Sequence, residues 1–558
     1  MARKRLAELV TVYPNNDIKN VELFGHQKKA LEKYKDADVI PLFFEMGCGK
    51  TITTLSIAKY KFDHGMIKGM LVIAPNDVHK QWYDDLVSPD PKAGKVFDYP
   101  IEVQCVGGRG GQKELYEFDD NGMFRFVSVN VDTFSTPHKW EAIVEWANSA
   151  NYMIVIDEAT VIKNPSSKRS ERLLYEFNNV IRRRKTVLAS QKKFPVRAVL
   201  TGTPVTNGPI DLWAIMEFVQ PNFFGRNYYS FKAYYGMFTK LSVADNAGRE
   251  RTIDVLLNEN TWQGIHNCTD YQEAFILFGC SEDTYMTVKH QNKFIGPYKH
   301  ADELKAKLDE VATFAKLTDC VDMPEKTYIV RRVGMSPEQE GVYNAMRRDL
   351  LAQYNEYTAT AKNKLVVSLR LQQISSGFIM GKKEIPEDLD ADDIENFDVL
   401  PSEAVWLGAS TPKLDAVMRD IDECDKPLLI LTRYTAEAAK IYEMCKAKYR
   451  TGLFTGWKVV GGVDALKNGE IDILVANSNK IARGFNLQIA HTSLFYSNTF
   501  SMEIRQQAEF RTFRAGQTEN VKYIDYVAAP VDEMIAGSLS MKKNMLEYIR
   551  SKDISELV

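Results

Sequence analysis

A glycine-rich loop near the start of the chain is the first segment able to do chemistry. Residues Glu45–Thr51 read Glu-Met-Gly-Cys-Gly-Lys-Thr; the apolar run Val39–Phe44 precedes them and a helical pattern follows. Small residues let backbone N–H groups surround phosphate oxygens at a helix start, where Lys50 adds positive charge and the Thr51 hydroxyl can hold Mg²⁺. Phe44 stands where the full phosphate-loop pattern has its first glycine. An ordinary helix start therefore stays open as an alternative.

Two adjacent carboxylates form the second candidate group. Asp157 and Glu158 end the apolar run Tyr152–Ile156, about a hundred residues after the glycine-rich loop. Phosphoryl transfer needs a carboxylate that holds Mg²⁺ and a base that orients the attacking water. Asp157 suits the first task and Glu158 the second. Since acidic pairs often end strands, a solvated strand end is the alternative when the pair is taken alone.

Two arginines form the third candidate group. Arg511 and Arg514 lie within Gln507–Gln517 and are three residues apart, so they share one face if this segment is a helix. Such a pair can stabilise negative charge on the γ-phosphate of a nucleotide. A surface helix with salt bridges explains the same pair without any catalysis.

The elements that must position these groups occur in two blocks. In each block, short apolar runs alternate with helical stretches, which predicts two α/β lobes with parallel sheets. Between the blocks, residues 222–330 lose this rhythm and are interpreted as an insertion plus linker. The predicted strands are Met70–Ala74, Phe124–Val129, Tyr152–Asp157, Ala198–Gly202, Pro427–Thr432, Asp472–Ala476, Ser493–Ser497 and Lys522–Val527.

Taken in order, the motifs resemble the Swi/Snf-type (Snf-two) family of helicase superfamily two. The match runs over about residues 20–225 and 325–545; its most specific parts are the glycine-rich loop, Leu200–Pro204 and Gln507–Gln517. The resemblance implies an α/β fold of two RecA-like parallel-sheet lobes in tandem, with a mainly helical insertion between them. We expect lobe one at 1–225, the insertion and linker at 226–330, and lobe two at 331–558 with a C-terminal brace helix. We also expect a compact, divergent member of bacterial or viral type.

The resemblance also assigns site residues for ATP and Mg²⁺. The catalytic residues it implies are Lys50, Glu158, Arg511 and Arg514. The Mg²⁺ ligands it implies are Thr51 and Asp157. The ATP-binding residues it implies are Gln27, Met46, Gly47, Cys48, Gly49, Lys50, Thr51, Gly484 and Gln507. The implied DNA contacts are Gln81, Trp82, Asn130, Thr133, Thr432, Arg433, Ser478 and Asn479.

Three departures from the family pattern indicate divergence. Thr160 stands where the family commonly has histidine after the acidic pair, Arg483 interrupts a glycine-rich motif, and Phe500 replaces a tryptophan. The Thr160 change alters one contact through which the family couples nucleotide state to motion. Hydrolysis should survive, because the lysine, the acidic pair and both arginines are present.

The resemblance implies an ATP-dependent motor that hydrolyses ATP on double-stranded DNA and remodels protein–DNA or branched DNA structures. Two alternatives stay open: a strand-separating helicase of the same superfamily, and a DNA-binding protein switched by ATP without hydrolysis. The expected partner is double-stranded or branched DNA, with contacts mostly to phosphates. We expect a monomeric motor and identify no protein partner.

Composition restricts the remaining classes. The net charge of −3 argues against a uniformly basic nucleic-acid binder, although it includes a basic run at 181–197 and an acidic run at 384–398. Seven scattered cysteines without a Cys-x-x-Cys pair predict neither a disulfide framework nor a zinc ribbon. No membrane-length apolar run and no signal core occur, so we expect an intracellular location. The aromatic and basic run Arg226–Tyr235 is interpreted as a helix that packs its rings on lobe one, with base stacking as the alternative.

Overall fold

Buried apolar strands followed by helices form two sheets, each in its own compact unit. The computed structural model describes residues 10–89, 94–107, 115, 117–118, 121–136, 140–176, 196–206, 208–244, 250–257, 259–291, 297–356, 361–380, 397–481 and 485–550. The first unit comprises the described residues of Met1–Tyr235, His300–Asp322 and Met545–Val558, and the second those of Gly236–Lys299 and Met323–Asn544. No helix in these described ranges has the length and apolarity needed to cross a membrane.

Strands and helices alternate through most of the chain. The described strands are β1 (Val10–Val12), β2 (Val39–Phe44), β3 (Gly69–Ala74), β4 (Ile101–Val106), β5 (Phe124–Asn130), β6 (Tyr152–Asp157), β7 (Arg197–Leu200), β8 (Phe238–Ala244), β9 (Glu250–Leu256), β10 (Thr313–Ala315), β11 (Lys326–Arg332), β12 (Phe378–Met380), β13 (Ala404–Trp406), β14 (Leu428–Thr432), β15 (Thr451–Phe454), β16 (Val459–Val460), β17 (Ile473–Asn477), β18 (Thr492–Phe495) and β19 (Val521–Val527). The described α-helices are α1 (Gly25–Tyr34), α2 (Lys50–Asp63), α3 (Asn76–Val87), α4 (Glu141–Ser149), α5 (Lys168–Glu171), α6 (Leu212–Val219), α7 (Tyr228–Tyr235), α8 (Glu259–Asn267), α9 (Tyr271–Phe278), α10 (Glu282–His290), α11 (Ala301–Val311), α12 (Leu317–Cys320), α13 (Pro337–Glu356), α14 (Ala361–Ser375), α15 (Pro412–Glu423), α16 (Thr435–Cys445), α17 (Gly462–Lys467), α18 (Ser478–Ile481), α19 (Met502–Thr512) and α20 (Pro530–Arg550).

The first sheet has the order β1-β4-β5-β3-β6-β7-β2-β10. All of its neighbours are parallel except β1 and β4, and every residue of β3 and β6 is buried. Parallel strands covered on both faces have near-continuous apolar sequences, which is why these runs are visible in the sequence. In register, Leu200 of β7 lies beside Leu42 of β2 on one side and Asp157 of β6 on the other. The glycine-rich loop and the acidic pair therefore leave the same edge of the sheet.

The second sheet has the order β11-β19-β18-β14-β17-β15-β16, and only β15 and β16 are antiparallel. Its core includes Leu428 and Ile430 of β14 together with Val475 of β17. In the same unit, the described part of Gly236–Lys299 contains the hairpin β8–β9 and three helices around a small core of its own. The structure confirms the predicted fold class of two parallel-sheet lobes with a mainly helical insertion. The limits 1–225, 226–330 and 331–558 stay a prediction.

Candidate nucleotide-binding site

The glycine-rich loop joins β2 to α2 in a conformation that only glycine adopts easily. Gly47 and Gly49 have φ values of 88° and 78°, in the left-handed region, and Gly49 is the N-cap residue directly before α2. The first N–H groups of a helix have no acceptor within the helix, so those of Lys50 and Thr51 are directed beyond its start. The loop therefore has the backbone geometry of an anion-binding helix start.

Helix α1 supports this loop from one side. The backbone carbonyl of Cys48 accepts hydrogen bonds from Gln27 Nε2 at 3.1 Å and from His26 Nε2 at 2.8 Å. The Gln27 side chain is buried, and its Oε1 accepts from the backbone N–H of Phe24 at 2.9 Å. A methyl group on Gly49 would lie 2.2 Å from Gln27 Nε2, so glycine is needed there for space as well as for backbone angle. The Gln27 amide thus connects α1 to the phosphate loop.

Asp157 is a buried carboxylate whose two oxygens are both held. Its Oδ2 accepts from the indole Nε1 of Trp82 at 2.8 Å, and its Oδ1 accepts from the backbone N–H of Glu158 at 2.8 Å. Burial raises the pKa of Asp157 above its ordinary value, although the positive charge of Lys50 and the two hydrogen bonds act to lower it. The Lys50 ammonium also donates to the carbonyl of Phe44 at 3.2 Å. The loop lysine and the acidic strand end therefore share one electrostatic environment.

Glu158 has an unusual backbone conformation. Its φ of 50° and ψ of 59° lie in the left-handed region, which costs a residue other than glycine about 1–3 kcal/mol. Its carbonyl accepts from the N–H of Val161 at 3.0 Å, so the chain turns sharply into a short 3₁₀ helix at Ala159–Ile162. Thr160 is buried in that helix. This turn sets the direction of the half-buried Glu158 side chain at the edge of the sheet.

The segment after β7 also packs against the loop. A methyl group on Gly202 would lie 3.3 Å from the carbonyl oxygen of Phe44 and 3.4 Å from the backbone nitrogen of Met46. Further along, Asp211 Oδ2 accepts from both the backbone N–H and the hydroxyl of Thr206, at 2.9 and 2.7 Å. The motif Leu200–Pro204 therefore contacts the phosphate loop directly, and the following turn is fixed by Asp211.

Residues Thr51 and Asp157 fit a hard divalent cation in their chemistry. Mg²⁺ prefers oxygen ligands and commonly takes one or two from the protein, and the two residues supply a hydroxyl and a carboxylate. Burial disfavours the charged form of Asp157, and a bound cation would offset that cost. We therefore keep the assignment of Mg²⁺ to this pair as a proposal.

In the second unit, Arg505 anchors α19. Its guanidinium bonds Asp525 through two nitrogens, with Nη2 to Oδ2 at 3.0 Å, and its Nε donates to Glu509 Oε1 at 2.7 Å. The same group stacks on the ring of Phe495, 3.5 Å from the ring centroid, and donates to Asn498 Oδ1 at 2.6 Å. Burial acts to lower the pKa of Arg505, but the two carboxylates raise it above the ordinary value. Arg505 thus fixes α19 to β18 and β19.

Removing Arg505 should destabilise the second unit. Arg505→Ala leaves the buried Glu509 and the half-buried Asp525 without their cation, a change that typically costs about 3–5 kcal/mol and corresponds here to a fall in melting temperature of roughly 6–20 °C. Differential scanning calorimetry measures this fall. Arg450→Ala is the matched control, because Arg450 pairs with Asp472 but is 61% exposed. Equal melting temperatures for the Arg505 variant and the unchanged protein would contradict the anchoring role.

The candidate arginines lie at the end of the anchored helix. Arg511 is buried and its Nη1 donates to the carbonyl of Phe485 at 3.2 Å. Arg514 is half-buried just after the helix, and burial lowers the pKa of its guanidinium. Gln507 Nε2 donates to Glu503 Oε1 at 3.1 Å on the same helix. The predicted ATP contact at Gly484 lies outside the described residues.

Three of the predicted DNA contacts are buried. Trp82 is 2% exposed and donates to Asp157. The Arg433 guanidinium donates to Gln372 Oε1 at 2.9 Å, and Thr432 donates to the carbonyl of Tyr434 at 3.1 Å. These three side chains bond inside their own units, and their assignment as DNA contacts stays a prediction.

The other predicted DNA contacts differ in exposure. Asn130 is buried too, and its side chain accepts from the N–H of Asp132, which starts a 3₁₀ helix. Ser478 is 3% exposed. Thr133 and Asn479 are half-buried and Gln81 is exposed. Among the predicted DNA contacts, these last three residues are the ones with exposed surface, and we call them the surface candidates.

The structure describes the predicted aromatic run Arg226–Tyr235 but very little of the two charge runs. In the aromatic run, Phe231 and Tyr235 are buried in the core of the first unit, whereas Tyr229 is 75% exposed. The basic run at 181–197 lies almost entirely outside the described residues, as does the acidic run at 384–398. Neither charge run therefore enters the description of the site.

Sequence reasoning missed two contacts of the phosphate loop. The Glu45 carboxylate accepts from the backbone N–H of Leu317 at 2.8 Å, and the N–H of Glu45 donates to the carbonyl of Ala315 at 2.9 Å. The hydrogen bond from the indole of Trp82 to Asp157 was likewise not predicted. These partners are far apart in sequence, and no motif spacing relates one to the other.

A glycine-rich helix start beside an acidic strand end, in the first of two parallel-sheet units, is typical of the class of proteins built from two RecA-like lobes. The family model described as SNF2-related domain matches residues 39–377, and the chain belongs to this family. Both the fold class and the predicted resemblance are confirmed at this level.

Comparison with individual proteins gives more distant matches. The chain is 23% identical over 519 residues to the probable ATP-dependent DNA helicase CHR12 of Arabidopsis thaliana, covering 89% of this chain and 39% of that protein. It is 29% identical over 220 residues to the human chromatin-remodeling ATPase INO80, covering 38% of this chain and 12% of that protein. The chain thus spans less than two-fifths of the length of these relatives. The Sulfolobus solfataricus SWI2/SNF2 ATPase core in complex with dsDNA aligns over 97% of each chain, with 18% identity and a TM-score of 0.36.

Proposed function

We propose that the chain is an ATP-dependent motor that hydrolyses ATP when it binds double-stranded DNA and remodels protein–DNA or branched DNA structures. The observation that carries the nucleotide part is the buried Asp157 carboxylate, held by Trp82 and influenced by the charge of Lys50 at the start of α2. Membership of the SNF2-related family supports the motor, and the names of the two relatives support ATP and DNA as its ligands.

Each residue of the first unit receives one role in this proposal. The backbone of Gly47–Thr51 binds phosphate oxygens, and Lys50 adds its charge to the β- and γ-phosphates. Thr51 and Asp157 hold Mg²⁺, which neutralises charge on the phosphates when bound. Glu158 accepts a proton from water and orients that water for attack. Trp82 keeps the Asp157 carboxylate in one orientation.

The second unit contributes Arg511 and Arg514, which we assign to the γ-phosphate on the family resemblance. Positive charge placed where negative charge develops in the transition state lowers the barrier without covalent chemistry. Arg505 anchors α19, the helix that contains Arg511 and ends just before Arg514. The backbone that carries both arginines is therefore held in place.

For DNA, the proposal uses the surface candidates Gln81, Thr133 and Asn479. They are polar side chains at the carboxyl-end loops and helices that follow β3, β5 and β17. Such groups position a duplex through phosphate contacts and carry no sequence preference directly. Binding should therefore weaken as salt concentration rises and depend little on sequence.

The decisive experiment measures ATP hydrolysis by the full chain with matched duplex, single-stranded and forked DNA and with RNA. We expect duplex DNA to stimulate hydrolysis far more than single-stranded DNA or RNA. Unwinding of a tailed duplex would favour a strand-separating helicase instead. Absence of DNA-stimulated hydrolysis, with DNA binding retained, would favour a DNA-binding protein that ATP only switches.

The contact between Trp82 and Asp157 gives a separate prediction. Trp82→Phe keeps an aromatic ring but removes the N–H that Asp157 accepts, so we expect the Mg²⁺ concentration for half-maximal hydrolysis to rise about 10–100-fold. A Mg²⁺ titration of ATPase activity measures it. Trp213→Phe is the matched control, since Trp213 is also buried and donates its Nε1 proton to the carbonyl of Arg226 at 2.9 Å. If both variants shift the titration equally, the role given to Trp82 is wrong.

A further inference from the structure

A short turn in the second unit presents the most exposed indole of the chain. Trp457 is 55% exposed, whereas each of the other six tryptophans is buried or half-buried. It lies in the connection between β15 and β16, where Thr455 and Lys458 form a closed turn. The N–H of Thr455 donates to the carbonyl of Lys458 at 3.0 Å, and the N–H of Lys458 donates to Thr455 Oγ1 at 2.9 Å. The hydrogen-bonded turn therefore holds an aromatic ring at the surface, where the ring can stack on a ligand.

The turn lies at the same edge of the sheet as the predicted DNA contacts Ser478 and Asn479. Strands β15 and β17 are parallel, with Phe454 opposite Ala476, so the turn and the segment Ser478–Ile481 both follow the carboxyl ends of their strands. In parallel α/β sheets, this is the edge at which ligands bind. A methyl group on Gly456 would lie 2.7 Å from Cε of Lys480, so the lysine side chain packs directly on the turn.

The charged and polar groups around the indole suit a nucleic-acid strand. The two charged residues of the turn and of Ser478–Ile481 are both exposed lysines, Lys458 and Lys480. Within the described part of the chain, the hydroxyl of Ser478 is buried without a hydrogen-bond partner. The Oδ1 atom of Asn479 is also buried and unpaired among the described residues. An exposed aromatic ring on a turn that carries one lysine and packs against a second is the pattern of a base-stacking surface.

We propose that Trp457 stacks on an unpaired nucleobase while Lys458 and Lys480 contact the flanking phosphates. An indole face needs the open face of a base, which a continuous duplex hides and a strand end, gap or fork exposes. This inference rests on the proposed function, because it assumes that the protein acts on DNA. It adds which part of the DNA this surface binds, namely an unstacked base within a branched or broken duplex.

The test compares two probes, a short oligothymidylate and an abasic strand of the same length and charge. Base stacking on an aromatic side chain has an effect equivalent to about 5- to 100-fold in affinity, so Trp457→Ala should weaken oligothymidylate binding by that factor and leave abasic binding unchanged. Trp457→Phe should give an intermediate loss. Tyr229→Ala, which removes another highly exposed aromatic ring in the first unit, should change neither affinity.

Replacement of the lysines should have the opposite signature. Lys458→Gln and Lys480→Gln should weaken binding of both probes and reduce the slope of log affinity against log salt by about 0.7 each. Quenching of tryptophan fluorescence by oligothymidylate, absent in Trp457→Phe, would support stacking independently. If Trp457→Ala loses equal affinity for both probes, the inference is overturned. If it loses affinity for neither probe, the inference is also overturned, and a protein partner is left as the occupant of this surface. Failure of the proposed function would appear elsewhere, as the absence of DNA-stimulated ATP hydrolysis by the unchanged protein.

Discussion

Glu158→Gln lowers the DNA-stimulated turnover of ATP by about 10²–10⁴-fold in our expectation, while ATP binding changes little. The substitution keeps the size of the side chain and its neighbours but removes the carboxylate that accepts a proton from water. The backbone of Glu158 is held in the left-handed region by the turn into Ala159–Ile162, and strain of this kind is stored mainly at functional sites. The measurement is steady-state ATPase activity together with equilibrium binding of ATP.

Two outcomes test the assignment of Glu158 as a base. The control is Glu22→Gln, which removes an exposed carboxylate of the same unit and should leave turnover unchanged. If Glu158→Gln hydrolyses ATP at the rate of the unchanged protein, another group activates the water. If it loses ATP binding as well as turnover, Glu158 supports the fold of the site and the catalytic role is wrong.

Arg514→Ala should lower turnover by about 10³–10⁵-fold, the range in which arginines that act on the γ-phosphate contribute. Arg514 is a cleaner choice than Arg511, because Arg511 is buried and its guanidinium holds the carbonyl of Phe485. The Arg514 guanidinium is partly removed from water, which lowers its pKa. Away from water, its charge acts more strongly on a phosphate. Single-turnover hydrolysis measures the effect on the chemical step.

The charge and the geometry of Arg514 can be separated. Arg514→Lys keeps the charge but loses the planar fork, and should recover only part of the rate. Arg419→Ala removes an exposed arginine of the same unit and serves as the control. Full activity in Arg514→Ala would contradict the role and would leave Arg511 as the remaining candidate.

The strands of both units could be predicted because buried parallel strands are continuous apolar runs. Tyr152–Asp157 was predicted with the observed bounds, and Pro427–Thr432 differs from β14 by one residue. The alternating strand Ile101–Val106 was missed, since Glu102 and Gln104 interrupt its apolar pattern although both are buried. Their burial depends on neighbours in three dimensions, which periodicity does not report.

For the candidate site too, some residues could be predicted from the sequence and others could not. The types and spacing of Lys50, Thr51, Asp157 and Glu158 predict a phosphate site, and the structure places each of them at a strand or helix end. The burial of Trp82, Thr432 and Arg433 could not be predicted from a family motif, because each depends on a hydrogen-bond partner outside that motif. Exposure of Trp457 was equally invisible, since a tryptophan in a short turn is compatible with burial or with contact.

The strand β10 has a consequence for how the protein is made. It follows the whole segment Gly236–Lys299 in the chain, yet it pairs with β2 beside the phosphate loop. Tyr34 donates to the carbonyl of Val311 at 2.8 Å, and Lys33 donates to that of Ala312 at 2.8 Å. During synthesis, β2 therefore stays an open edge until the ribosome has passed Leu317, and open edges invite pairing with other chains. The edge of the first sheet is therefore completed only after the whole segment Gly236–Lys299 has been made, shortly before the second sheet begins at Lys326–Arg332.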